Sequence, residues 1–438
     1  TFGGTNGRHL STTETLPHAD GRRAGILDRP LAEGGWRLRE PASLSAAEAA
    51  WAAAFERFTD RPGMHAVTTD LVIGLNRLGL RGWEELFDAY PDDIGSARRD
   101  ARLVRLYLSD ADLADGRRLQ SRANGLVREL TRADLAADWP ALGTSVRLPG
   151  ATRTVSGALE VDGYAVNIHD LADAIAGRLR AGGVTIRPDS RVDRIDPGDG
   201  EVRLALADGS LVRAGSAVLT VGGTELHRLL GDVWPAAAAV SHVLGVSLTL
   251  PNPGLRRALK VHASDPLGVI NVTLSPDGSL IHVSGGFGYL GLASWRSGQL
   301  RPARPGGPAE AGAPDGAGIR PGWTEQAVAA LLEAFTRATG DLFPALRGPD
   351  GRLDIRQVRT CERPMTPDGL PIVEALDEFG GRLIVAAGTN AGGAVEAPAL
   401  GRLVGELLDG RAGCAHLAMA GDRVGLPLPA GQAGRGYA

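Results

Sequence analysis

Cysteine is nearly absent from this chain. Cys361 and Cys414 are the only two in 438 residues, too few for a disulfide framework. No apolar run reaches the roughly 18–20 residues of a membrane-spanning helix. No leader with a charged start and an apolar core is visible, which sets a cytoplasmic location as the expectation. Excess positive charge is missing too: a net charge of -4 leaves no basic footprint for nucleic acid. The nine histidines are scattered, with no H-x-x-x-H and no Cys/His cluster, so no metal site is expected. Neither G-x-S-x-G nor a P-loop occurs, and no internal repeat is visible. What remains is a globular composition, 43% hydrophobic, long enough for two domains or one elaborate one.

The most informative stretch runs from Cys361 to Gly401. ERPMTPDGLP is a polar, Pro- and Gly-rich loop with turns at Thr366–Gly369. Arg382–Ala387 is a short unbroken apolar run, the pattern of a strand buried on both faces. Gly388–Gly393 (GTNAGG) is a small-residue loop that opens a helix, VEAPALGRLVGELLDG, closed by Gly410. Such a loop aims bare backbone N–H groups and the positive end of a helix dipole at whatever lies above it. That end suits an anionic or electron-accepting ring edge. A plain strand–turn–helix with small residues for packing is the competing reading.

These residues closely resemble the C-terminal flavin-binding segment of the D-amino acid oxidase/dehydrogenase superfamily, R-P-x-T-P-D-G-x-P-x-I followed by an apolar strand and a glycine-rich loop entering a helix with A-P-x-x-G. The resemblance implies an FAD enzyme that oxidises the C–N bond of an amine or amino acid by hydride transfer to flavin. It also implies cofactor contacts from Gly388, Asn390, Ala391, Gly392, Gly393 and Ala394, whose backbone would stabilise charge on the reduced ring. Arg363 takes the position of the superfamily's substrate-carboxylate arginine, a planar fork that matches both oxygens; an ion pair with Glu362 or Asp368 is the structural alternative. Cys361 has the spacing to Thr366–Asp368 at which sarcosine-oxidase-like members bind flavin covalently, and a buried free thiol is the alternative there. Asn390 and Glu396 depart from the usual residues, so substrate details do not carry over.

The beginning of the chain is unusual for that superfamily. GGTNGRHLST resembles the G/S-x-x-N-x-G loop that follows the first βαβ unit, so Gly4, Thr5, Asn6, Gly7 and His9 are expected at the flavin. His9 either takes up the amine proton or caps the next segment. The expected strand–G-x-G-x-x-G–helix, which would hold the ADP half of FAD, does not precede it. A lookalike, Gly316–Ala317–Gly318–Ile319, has no apolar strand ahead of it and Pro321 behind it. The sequence thus reads as a member lacking about one βαβ unit. The favoured reading is a small chain carrying the glycine fingerprint that stays bound after cleavage, either by self-cleavage at Thr1 or by a protease. Loss of FAD binding, leaving a non-catalytic subunit, is the rival.

Elsewhere, residues 45–60 form an amphipathic helix capped by Ser45, and Val104–Leu108 a strand. A helix through DADLADGRRLQSRANGLV follows. Gly163–Ile186 reads as a helix entered at Asn167 or His169, ended by Gly182–Gly183, and then a strand. Asn167–Asp170 either cap it or are active-site polar groups. EVRLALADGSLVRAG is a hairpin turning at Asp208–Gly209. By resemblance, Val192 offers its backbone to the adenine, and Gly222 and Gly223 end a strand beside the cofactor. GVSLTL, GVINVTL and SLIHVSGGF are alternating strands roofing the flavin. SGGFGYL resembles the superfamily's G-G-x-x-x-x-G strand end, which implies that Tyr289 faces substrate, a half-buried tyrosine being the alternative.

The expected architecture is therefore α/β (α+β overall): an incomplete Rossmann-like FAD-binding domain (1–44, 150–235, 376–413) plus a largely antiparallel substrate domain (45–149, 236–375). A flexible loop at 300–322 and a mobile tail at 414–438 complete it. The expected partners are an amine or amino-acid substrate and the small N-terminal chain; a sarcosine-oxidase-like N-demethylating oxidase with covalent flavin is the alternative function.

Overall fold

A computed structural model describes residues 8–149, 151–263, 265–292, 323–411 and 419–425. Gly4, Thr5, Asn6, Gly7, Cys414, the whole 300–322 loop and most of the 414–438 tail lie outside these. In chain order the first elements are β1 (His9–Leu10), α1 (Ala46–Thr59), α2 (Pro62–Ala89), β2 (Arg98–Tyr107), α3 (Asp110–Arg122), β3 (Leu126–Leu130) and α4 (Arg132–Asp138). Then come β4 (Ser145–Leu148), β5 (Ala151–Thr154), β6 (Gly157–Val166), α5 (Ile168–Ala181), β7 (Val192–Pro197), β8 (Val202–Leu206), β9 (Leu211–Ala214), β10 (Ala217–Leu219) and α6 (Gly223–Leu230). The last are β11 (Ser241–Pro251), β12 (Leu259–His262), β13 (Val269–Leu274), β14 (Leu280–Gly291), α7 (Trp323–Leu342), β15 (Gln357–Met365), β16 (Ile372–Leu376), β17 (Leu383–Ala387) and α8 (Gly393–Leu408).

A nine-stranded sheet dominates, in the order β1-β6-β2-β12-β13-β14-β11-β15 with β3 also on β6. All its pairs are antiparallel except β2 with β12. Period-2 alternation gives the sheet two chemically different faces. Val104, Leu106, Leu259, Val261, Ile270 and Val272 point into an apolar core shared with Leu331 and Phe335 of α7. Their neighbours Arg105, Lys260 and Asn271 lie side by side on the opposite face, because Lys260 is paired with Arg105 on one flank and Asn271 on the other.

The second sheet is small. β10 and β17 run parallel, and β16 is antiparallel to β17. Leu383, Ile384 and Val385 are fully buried, as the unbroken apolar run requires. Beyond it, α8 crosses α2 so closely that a Cβ on Gly79 would stand 2.0 Å from the Val395 carbonyl oxygen. Gly79→Ala should therefore cost about 1–3 kcal/mol by overpacking. A melting temperature equal to the parent's would refute that contact.

Local signals explain most boundaries. Ser45 caps α1 through a capping box with Glu48. The Asn167 side chain accepts from the His169 amide at 3.2 Å, so it serves α5 as a cap. Gly209, at φ +82°, turns the β8–β9 hairpin. Two expectations fail. The helix through residue 127 stops at Arg122, because Asn124 goes left-handed (φ +53°) and the chain re-enters as β3. No strand forms at 184–186, where Val184 is 47% exposed with no sheet beside it. No helix among the described residues is long and apolar enough to cross a membrane.

Candidate active site

A cavity of 1420 Å³ lies between the polar face of the large sheet, the segment 9–34 and the start of α8. Its floor comes from the opening motif. Ala391, Gly393, Ala394 and Val395 line it, and no side chain caps α8 at Gly392, so the first-turn N–H groups keep their donors open. Asn390 adopts φ +55° and holds the loop in place. Its Nδ2 donates to the Gly388 carbonyl at 2.9 Å, and its Oδ1 accepts from the Thr366 amide at 3.0 Å. Gly388 and Gly392 sit behind this surface: a Cβ on Gly388 would meet Thr366 Cγ2 at 2.6 Å, and one on Gly392 would meet Glu396 Oε1 at 2.4 Å.

Arg363 enters the cavity from β15. Its Nη1 donates to the Gly286 carbonyl at 2.7 Å and its Nη2 to that of Gly285 at 3.3 Å; the guanidinium lies 4.6 Å over Phe287. The expected carboxylates are engaged elsewhere. Asp368 accepts a two-pronged pair of bonds from Arg423 at 2.7 and 3.1 Å, and Glu362 faces His242 at 3.6 Å. Among the described residues Arg363 has no acidic partner. Burial pulls its pKa below the usual value, with Cys361 opposing the shift. Gly245, opposite Cys361 on β11, leaves the guanidinium room: a Cβ there would stand 2.4 Å from its nitrogens. Cys361 also lines the cavity.

The opposite wall is one the sequence reading did not find. Lys260 Nζ donates to Glu14 Oε1 at 2.6 Å and to the Glu14 carbonyl at 2.8 Å. Arg105 donates to Ser11 Oγ at 2.5 Å and stands 3.6 Å from Glu14 Oε2. Burial alone would raise the Glu14 carboxyl, but Lys260, His9 and Arg105 together pull it below its ordinary value. His9 is 2% exposed, near the Val272 backbone, with no well-formed hydrogen bond to either ring nitrogen. Burial, with help from Lys260 and Arg105, drops its pKa to about 4, so it is neutral at pH 7 and is no helix or turn cap.

Four further expected site residues do not line the cavity. Tyr289 packs in the core, stacked on Trp51 at 5.2 Å with its hydroxyl donating to the Glu48 carbonyl at 3.0 Å. Because β14 bulges against β11 near its end, the side chain turns towards α1. Val192 gives its carbonyl to Arg228 at 2.6 Å. Gly222 and Gly223 begin α6 against His242 and Val240, where a Cβ on Gly223 would meet the Val240 carbonyl at 2.5 Å; neither lines the cavity.

Buried polar atoms without partners border this space, among them groups on His9, Thr15, His18, Arg105, Tyr107 and Asn271. Unpaired polar groups at this density mark a surface shaped for a polar ligand. Open helix-end donors, an arginine fork and unpaired donors and acceptors fit the isoalloxazine end of FAD together with a small carboxylate-bearing molecule.

Comparison with known proteins agrees with that chemistry. The family model described as FAD dependent oxidoreductase matches residues 13–407. A D-amino acid dehydrogenase of Methylobacterium radiotolerans is 30% identical over 247 residues, 56% of this chain and 49% of that protein, so the chain spans about half the length of this curated relative. Among solved structures, glycine oxidase from Geobacillus kaustophilus superposes with a TM-score of 0.56 at 19% identity, covering 78% of this chain and 80% of the other. Glycine oxidase from Bacillus cereus gives 0.58 at 14% identity over 80% and 83%. L-proline dehydrogenase from P. horikoshii gives 0.55 at 16% identity over 80% and 83%. At these identities the structural likeness speaks for the fold.

Proposed function

The chain belongs to the FAD dependent oxidoreductase family, and from that premise we propose that it oxidises the C–N bond of an amino acid, anchoring the substrate carboxylate on Arg363. The observation that carries this reading is the partly buried guanidinium that faces the cavity with no acidic partner among the described residues. When bound, FAD would supply the redox chemistry, as acceptor of a hydride (two electrons and one proton) from the substrate. The protein's part is orientation and electrostatics. Arg363 fixes the carboxylate, and Phe287 beneath the guanidinium limits its swing. The first-turn amides of α8 favour negative charge at the cavity floor. The curated relative and the solved relatives act, by their names, on amino acids. The test is anaerobic: a free amino acid should bleach the flavin absorbance near roughly 450 nm, and the matching amine without a carboxylate should do so far more slowly.

The same reading needs a holder for the ADP half of FAD. Among the described residues no strand leads through G-x-G-x-x-G into a helix; the one match to that spacing, Gly286–Gly291, lies inside β14. Among the described residues β10 pairs only with β17, which leaves its other edge free, and Val218 on it is 41% exposed. An unpaired parallel strand of this kind invites an added strand. The βαβ unit therefore docks along β10 from outside these residues, with a small separate chain as one form of it; intact mass measurement of the active species reads this directly.

Cys361 supports a second reading, covalent flavin with sarcosine-oxidase-type N-demethylation, because its side chain lines the same cavity. Under it, acid precipitation of the protein keeps the yellow colour in the pellet, and Cys361→Ser releases it. Full release from the parent protein contradicts it.

A further inference from the structure

Of the 47 lysine and arginine residues in this chain, one alone is a lysine, Lys260. It is also 2% exposed and lines the cavity. Every other cation is an arginine, including Arg105 directly beside it on β2 and Arg363 across the cavity. Apart from the Lys260–Glu14 pair, the lysine and arginine ion pairs of the described residues are all made by arginine. What a guanidinium cannot do is give up its proton, whereas a buried amine can.

We propose that the Lys260 amine takes up the proton that an amino-acid ammonium must release before its C–N bond is oxidised; this rests on the amino-acid reading above. In that step a substrate N–H bond breaks, and its electron pair stays on the substrate nitrogen as the lone pair that oxidation needs. The proton forms a new N–H bond at Nζ. The resulting ammonium is held where Lys260 now sits, against the Glu14 carboxylate at 2.6 Å and the Glu14 carbonyl at 2.8 Å.

The surrounding charges permit this cycle. Glu14 and His9 face Lys260 from the segment at and after β1, Arg105 from β2, His18 from the loop beyond, and His262 from β12 itself. Burial pulls all three histidines down, so they carry no charge at neutral pH. When Lys260 is neutral, Glu14 still has Arg105 at 3.6 Å, so no buried carboxylate is left alone. Burial lowers the Lys260 ammonium to about 8, with Glu14 opposing that shift. Proton transfer from a free amino acid's ammonium, roughly 9–10 in water, is then uphill by a factor of about 10 to 100, within reach of a step that oxidation pulls forward. His9, at about 4, is too weak a base for the same task.

A single lysine makes the test unusually direct. In protein grown on lysine labelled with carbon-13 at the ε position and loaded with FAD, the Lys260 resonance is the one that substitution of Lys260 removes. That resonance should titrate with a midpoint between about 7 and 9 and be missing from Lys260→Met. A lysine that stays charged beyond about pH 10 overturns the proposal, since it is then a fixed partner of Glu14. In anaerobic mixing with glycine, D-alanine, D-proline and sarcosine, flavin bleaching by the parent should rise through the same midpoint. Lys260→Met should be about 100-fold slower at pH 7 and recover towards the parent at high pH, where free amine is abundant; Lys260→Arg should not recover. If Lys260→Met misfolds with Glu14 unpaired, the double variant with Glu14→Gln removes the orphan charge and is read the same way. A variant with the parent's rate and pH profile overturns the proton role while leaving amino-acid oxidation standing. Failure of the parent to bleach with any of the four removes both.

Discussion

Arg363→Met should raise KM for the amino-acid substrate by about 100-fold, about 3 kcal/mol, the cost of leaving a carboxylate without its charged two-pronged partner. Arg363→Lys should recover part of this, because a point charge remains but the planar fork does not. The guanidinium also donates to the carbonyls of Gly285 and Gly286, so both variants leave two acceptors at the β14 bulge to water. A purely structural role would lower the melting temperature and affect every substrate alike. A carboxylate anchor predicts instead that amines lacking a carboxylate are oxidised equally well, or badly, by parent and variant. Inhibition by a simple carboxylate such as benzoate should weaken in parallel with KM. Unchanged KM and unchanged benzoate inhibition would remove Arg363 from the site.

The second large effect concerns stability. Glu396, 1% exposed in the first turn of α8, is pushed up to about 8 from an ordinary 4.5 by burial, and its Oε2 has no partner. The folded protein keeps that proton where the unfolded chain has already released it. The group's contribution is therefore complete below about 4.5 and is lost as pH rises through 8. Glu396→Gln keeps the shape and never ionises. Its melting temperature should match the parent's at acid pH and exceed it by several degrees above pH 8, reflecting roughly 3–5 kcal/mol at most. Parallel melting curves across that range would show that the carboxyl is already ionised. The neutral form also has a bearing on the site. A charged glutamate in the first turn would cancel part of the positive helix end at Ala391–Ala394, and a protonated one does not.

Much of the floor was legible because it is built from local chemistry. Gly369 at φ +80°, the run Leu383–Val385, left-handed Asn390 and the apolar stripe of α8 each leave their mark within a few residues. Arg363 was legible through its motif. The wall was not: LKVH is four residues long, and nothing local says that Lys260 lies between Arg105 and Asn271, more than 150 positions away on one side and 11 on the other. Register fixed that. Composition carried a hint, a solitary lysine in an arginine-rich chain, though not its meaning. Tyr289 was placed by resemblance to a strand end, and it lies in the core instead, where β14 shifts register against β11 between His242 and Val243. Val192 and the pair Gly222–Gly223 were placed by resemblance alone, and here their backbones meet Arg228 and Val240.

The most direct test of the account is an anaerobic spectrum of the flavin-loaded protein, together with whatever carries its dinucleotide-binding unit, before and after addition of free amino acids. The account predicts flavin bands that bleach with an amino acid and stay nearly unchanged with the corresponding simple amine. A protein that binds no flavin, or a bound flavin reduced equally by both, would contradict it.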